Sequence, residues 1–121
     1  MLPPDAITPW LERALDLSAH RGALLSANLA NVDTPGYTPS DLDFEAHLRD
    51  ELRHRGHIGP SHTQPSGRLR FDTEPSLDGN RVDLDTEMTL AAANRTFYQL
   101  TTEVLNRNLG LLRYAIDEGG R

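Results

Sequence analysis

The sequence predicts an all-α fold: an elongated antiparallel pair of long N- and C-terminal helices, coiled-coil-like in their contact. Three observations carry this. Apolar residues recur every seven positions through the C-terminal part, an apolar stripe steps by four and three through the N-terminal part, and Gly, Pro and Ser crowd the residues between. The 121 residues suffice for one domain, 1–121. Its predicted parts are a helix over 5–32, an irregular middle over 33–82, and a helix over 83–117. The middle is expected to be partly disordered, with one short helix and room for a small β-hairpin.

In the first helix, Leu11, Leu15, Ser18, Gly22, Leu25, Leu29 and Val32 fall on one stripe. Trp10, Leu17 and Leu24 form a second seam beside it, so the helix has partners on two flanks. Ser18 and Gly22 keep the stripe small where another helix backbone comes close. The helix must end near Asp33-Thr34-Pro35-Gly36, because proline disfavours helical geometry in the residue before it and glycine accepts positive φ.

The middle region predicts a short helix over 41–55, with Ser40 as N-cap, Asp43 three residues on, and Leu42, Phe44, Leu48 and Leu52 as apolar contacts. Residues 56–67 have loop composition, Leu69-Arg70-Phe71 fits a brief strand, and Asp78-Gly79 is a turn signal.

The last helix has the plainest pattern. Asp83 or Asp85 can cap it, with Asp85 and Glu87 favourable in its first turn, and Gly119-Gly120 ends it. Leu90, Phe97, Val104 and Leu111 recur every seven residues, as do Tyr98, Leu105 and Leu112. Between these seams runs a polar one, Asn94, Thr101 and Asn108, whose amides and hydroxyl are suited to fixing register; the competing reading places them at the solvent border. The helix spans about 50 Å at 1.5 Å per residue, too long for so short a chain to wrap.

Composition removes several function classes. A formal charge of −6 disfavours non-specific nucleic-acid binding, and all twelve basic residues are arginine. Without cysteine there is no disulfide, thiolate metal site or thiol nucleophile. The N-terminal residues lack the cationic and apolar blocks of a cleaved signal peptide, and no window is apolar enough to span a membrane. His47, His54, His57 and His62 lack carboxylates at ligand spacing and read as a solvated segment, which becomes locally basic below about pH 6.5 beside Arg49, Arg53 and Arg55. Asp78-Gly79-Asn80 with Asp83 and Asp85 puts glycine in the wrong place for a calcium loop. No serine stands in a Gly-x-Ser-x-Gly frame. Neither a catalytic residue nor a cofactor or metal site is expected.

Two motifs exceed what a helix terminator needs. Ser26-Ala27-Asn28-Leu29-Ala30-Asn31-Val32-Asp33-Thr34-Pro35-Gly36-Tyr37 resembles the N-terminal signature of the flagellar axial proteins, the rod and hook family. Ser76-Leu77-Asp78-Gly79-Asn80-Arg81-Val82-Asp83-Leu84-Asp85-Thr86-Glu87-Met88, in so short a chain, is similar to the proximal-rod members of that family. The resemblance implies a structural subunit of the periplasmic rod, exported through the flagellar type III apparatus without a cleaved signal. Its implied partners are copies of itself, other rod proteins and a FliE-type adaptor. For the first motif, Asn28 and Asn31 are expected to donate to the last-turn carbonyls, Thr34-Pro35-Gly36 to turn the chain, and Tyr37 to fold its ring over the helix end.

The seams say how such a subunit works. Apolar residues on several flanks exceed what one helical hairpin buries, so neighbouring copies cover the remainder and the lone chain is marginally stable. The rival reading is a non-flagellar coiled-coil adaptor or chaperone, which has no need of the 26–37 motif.

Overall fold

The computed structural model describes residues 4–53 and 65–119. Five elements follow one another: α1 (Pro4–Ala30), β1 (Ser40–Leu42), α2 (Phe44–Arg53), β2 (Gly67–Leu69) and α3 (Leu84–Gly119). The all-α class with two long terminal helices and one short middle helix is the architecture observed, with a two-stranded antiparallel sheet attached.

The long helices lie antiparallel. Asn28 meets Glu87, Ser18 meets Asn94, and Thr8 meets Asn108, so pairing runs from the end of α1 to its beginning. At 1.5 Å per residue α1 is about 40 Å long and α3 about 54 Å. With Asn108 opposite Thr8 and α1 starting at Pro4, α3 continues past its partner from about residue 112.

α1 ends in a succession of short turns, Asn31 N–H to Ala27 O, Val32 N–H to Leu29 O and Thr34 N–H to Asn31 O, and Gly36 then takes a φ of 73°. At the start of α3, Asp83 is the cap. Its carboxylate accepts from the Asp85 N–H at 3.1 Å and from the Thr86 hydroxyl at 3.0 Å.

Two boundaries in the middle differ from expectation. The short helix begins at Phe44, not Asp41, because Ser40–Leu42 is taken by β1, and the cap passes from Ser40 to Asp43, whose carboxylate accepts from the Ala46 N–H. The second strand is Gly67–Leu69 rather than Leu69–Phe71. It pairs Ser40 with Leu69 and Leu42 with Gly67, so the sheet joins segments on either side of α2 and is not a local hairpin. The partner strand sets the register, and no local pattern encodes it. The loop expected over 56–67 and three of the histidines, His54, His57 and His62, lie mostly or wholly outside the described residues.

The core is small. Among the described residues Leu11, Ala14, Leu17, Leu25 and Leu42 are its buried apolar side chains, with Ser18, Asn28 and Pro39 also fully enclosed. The buried line on α1 therefore runs between the two predicted seams, with Leu17 taken from the second. α2 packs on the same helix, and the rings of Phe44 and Phe97 meet edge to face at 4.9 Å. Gly22 has a packing reason: a Cβ there would lie 3.3 Å from the Asn94 side-chain nitrogen.

So few buried side chains make each one count. Leu17→Ala is expected to cost about 2–5 kcal/mol, enough to remove most of the helical circular dichroism of the lone chain at 25 °C. Leu111→Ala, on an exposed flank of α3, should leave that signal within about 0.5 kcal/mol of the parent in a urea titration.

Candidate functional site

The two sequence motifs are separated by some forty residues in the chain and meet at one end of the helix pair. Asn28 is the centre of this junction. It is fully buried, and its side-chain amide uses its whole capacity. The NH2 group donates to Ser40 O at 2.8 Å and to Glu87 Oε2 at 2.9 Å, while Oδ1 accepts from the Tyr37 hydroxyl at 3.1 Å and the Ser40 N–H at 3.0 Å. α1, the turn after it, β1 and α3 are thus tied through one side chain.

The expected roles of the first motif are redistributed. Asn31, not Asn28, serves the helix end, donating to Ala27 O at 2.7 Å and accepting from the Thr34 hydroxyl at 3.0 Å. Asn28 turns the other way, into the protein. Tyr37 reaches Asn28 with its hydroxyl. Pro35 is exposed, and Gly36 supplies the left-handed turn.

The second motif packs backbone to backbone on that turn. Gly36 N–H donates to Asp78 O at 3.0 Å and Arg81 N–H to Tyr37 O at 2.9 Å. Buried Asn80 donates to Asn31 O and Thr34 O at 2.9 and 2.7 Å and accepts from the Val82 N–H at 2.8 Å. Gly79, at φ 82°, lies so close that a Cβ would sit 3.4 Å from the Gly36 Cα. Ser76 and Asp78 close the turn. The Ser76 hydroxyl and the Asn80 N–H both donate to the Asp78 carboxylate and hold it below the usual carboxylate range. Leu77 and Met88 of this motif point outward, and Asp83 caps α3.

Beneath the knot runs a charge ladder. Glu87 is 1% exposed; one oxygen takes Asn28 and the other takes the Arg70 guanidinium. Arg70 Nε lies 3.9 Å from Asp41, which is held bidentately by Arg21 at 2.8 and 2.9 Å. Arg21, Asp41 and Arg70 are absent from the sequence-derived set. Isolated charges in helix and loop carry no pattern, and it is the packing of β1 on α1 together with its pairing to β2 that brings them together.

The seams divide by exposure. Leu11 and Leu25 are buried; Leu15, Leu29, Leu90, Phe97, Leu105 and Leu112 are half-buried. Tyr98, Val104 and Leu111 face outward, with Leu84, Met88, Leu100, Leu109, Tyr114 and Ile116 also open to solvent along α3. Val104 is 48% exposed, Leu111 63% and, on the overhang, Ile116 74%.

The polar seam faces α1. Asn94 exchanges two 3.0 Å hydrogen bonds with Ser18, accepting from its hydroxyl and donating to its carbonyl. Asn108 donates to the Thr8 hydroxyl at 2.7 Å, while buried Thr101 donates within its own helix to Phe97 O. Among the described residues no group of His, Asp or Glu is arranged to hold a metal, and no helix is long and apolar enough to cross a membrane.

This geometry is that of a scaffold: a polar junction at one end of a helix pair and apolar flanks along it. Comparison with known proteins agrees. Residues 11–38, the first motif with the helix leading to it, match the family described as flagella basal body rod protein. The chain is 35% identical to the flagellar basal body rod protein FlgB of Escherichia coli K12, over 95% of this chain and 96% of that one. It is 38% identical to FlgB of Salmonella typhimurium, over 87% and 88% of the two chains, and 36% identical to FlgB of Cereibacter sphaeroides, over 86% and 88%. The chain belongs to the FlgB family of flagellar basal body rod proteins. It is a structural rod subunit located in the basal body, where it assembles with other flagellar components, and it is not an enzyme.

Two outcomes test the junction. Asn28→Asp retains the size of the side chain but sets a second carboxylate against Glu87; it should lower stability by about 2–4 kcal/mol in urea titrations at pH 7, and the loss should shrink as the pH falls below about 5. The second concerns Asp78. Its pKa is lowered by folding, so its contribution is present above the unfolded carboxylate value and disappears as pH falls through the lowered one. Amide exchange at Gly36 and Arg81, corrected for intrinsic rates, should therefore accelerate below about pH 4, and Asp78→Ala should remove most of that step.

Proposed function

We propose that this single domain is exported through the flagellar type III apparatus and completed in the periplasm by its neighbours, in a helical stack that transmits torque. The observation that carries the reading is the set of large apolar side chains left open on both flanks of α3, Leu84, Met88, Leu109 and Ile116 along one and Leu100, Val104 and Leu111 along the other. One or two such residues are ordinary on a protein surface. Two flanks of them along a helix call for a covering partner. Neighbouring copies, other rod proteins and a FliE-type adaptor beneath the rod are the partners of this reading. Their contact with α3 is heterologous, which is what lets subunits continue as a helix instead of closing in pairs.

The small core supports the same account. Among the described residues, burial of four leucines at about 1.5–3 kcal/mol each, with one alanine beside them, is little against about 1–2 kcal/mol of backbone entropy per ordered residue. A marginal monomer suits passage through a narrow channel, with rigidity gained on assembly. Within the subunit, Asn94, Thr101 and Asn108 limit the register of α3 to alignments related by whole heptads, and the 26–37 and 76–88 motifs lock the ends of the helices together.

Because Val104 is already open to water in the lone chain, Val104→Asp should leave synthesis and the helical circular dichroism of the free subunit unchanged, yet abolish rod assembly and swimming. The half-buried Leu105→Asp should do the same with some loss of helix. Swarm-plate motility at the parent level in Val104→Asp cells would remove α3 from the assembly surface. Secretion is tested separately, by recovering the variant from the culture medium of cells blocked in rod assembly.

A further inference from the structure

The apolar seams of α3 do not by themselves say where along α1 the helix belongs. Leu90, Phe97, Val104 and Leu111 repeat every seven residues, and so do Tyr98, Leu105 and Leu112. A slide by one heptad brings like side chains onto like. Asn94, Thr101 and Asn108 share that period, so the slide sets one small polar group in place of another. Glu87 is the exception. It occupies the next position of the same polar stripe, seven before Asn94, but it is a carboxylate enclosed at 1% exposure.

Only one place on the described surface of α1 is built to receive that charge. Asn28 donates to one oxygen and Arg70 to the other, with Asp41 and Arg21 balancing Arg70 behind. Slid one heptad toward the start of α1, Glu87 would face the neighbourhood of Ser18, among buried Leu17 and Ala14, with Arg21 already held by Asp41. Slid the other way, Asn94 would replace it at Asn28, and Arg70 would exchange its hydrogen-bonded carboxylate for the more distant Asp41 and Asp72, each 3.9 Å away. The knot between residues 34–37 and 76–82 also opposes a slide, but most of its groups are at least partly exposed, where water replaces a broken hydrogen bond at small cost. A buried charge has no such substitute.

We propose that Glu87, held by Asn28 and Arg70, selects the register of α3 against α1 among heptad-related alternatives. Register in turn sets how far α3 overhangs α1, and so which apolar residues a neighbouring subunit meets; only this consequence rests on the assembly reading. The specificity lies in a charge that fits one position of a repeating seam.

The absence of cysteine allows a direct test in the purified full-length chain. Thr8→Cys paired with Asn108→Cys reports the observed register, and Thr8→Cys paired with Thr101→Cys or Ala115→Cys reports a one-heptad slide either way. Under mild oxidation the first pair should crosslink and the other two should not. Adding Glu87→Leu should raise a slid-register crosslink at least tenfold relative to the native one, with helical circular dichroism retained; Arg70→Met should act in the same direction, and Asn94→Leu should leave the ratio unchanged. An unchanged ratio in Glu87→Leu would assign register to the knot and overturn the proposal. So would a slide in Asn94→Leu as large as that in Glu87→Leu. Loss of helix in Glu87→Leu, with no crosslink of any register, also overturns it, since Glu87 would then be needed for pairing itself. These readouts come from the free subunit and do not depend on motility, so the proposal and the assembly reading can fail separately.

Discussion

The amide of Asn28, enclosed between Glu87, Ser40 and Tyr37, is the contact through which the rest of this structure is organised. A buried amide is costly unless both its donor hydrogens and its carbonyl oxygen find partners. Here each partner comes from a different segment: the turn after α1, the first strand, and the last helix. Satisfying one group therefore requires all of them to be in place together. The purely apolar core, five side chains deep along the described helix and strand, could not impose that condition, because apolar contact is non-directional.

Direction at one end and open apolar surface along the length are the two features the subunit presents. The junction fixes how the helices enter and leave, through two glycines at positive φ and a set of hydrogen bonds crossing between the motifs. The flanks of α3 then present apolar surface that the lone chain does not cover. A rod protein needs both, since subunits that adhere without a defined geometry aggregate, and subunits with geometry but no adhesive face stay separate.

The sequence made the long helices legible because heptad spacing survives in any helical context; Leu90, Phe97, Val104 and Leu111 announce α3 without reference to another residue. The two motifs were legible as signatures, and Asn94 and Asn108 stood out as polar members of an apolar stripe. Other features were hidden for physical reasons. Asn28 and Asn31 read alike in sequence, three residues apart, yet one serves the helix end and the other faces inward, a difference set by what packs against each. Ser40–Leu42 looked like a helix start because Ser40 is a good cap, but strand pairing with Gly67–Leu69 overrode that local preference. Arg21, Asp41 and Arg70 have meaning only as a set, and no spacing rule joins charges from three separate segments.

The account depends on apolar surface of α3 that is open in the free subunit and covered in the rod. Single-cysteine chemistry measures this directly in a chain with no cysteine of its own. With Leu100→Cys and Leu111→Cys, each carried alone, a maleimide should label the purified subunit rapidly and the same residue in isolated, assembled basal bodies at least tenfold more slowly, while Arg49→Cys on the outer face of α2 serves as a reference for reagent access. Equal labelling of Leu100→Cys and Leu111→Cys in the free and assembled states would contradict the account, because the surface held to join subunits would then be touching nothing.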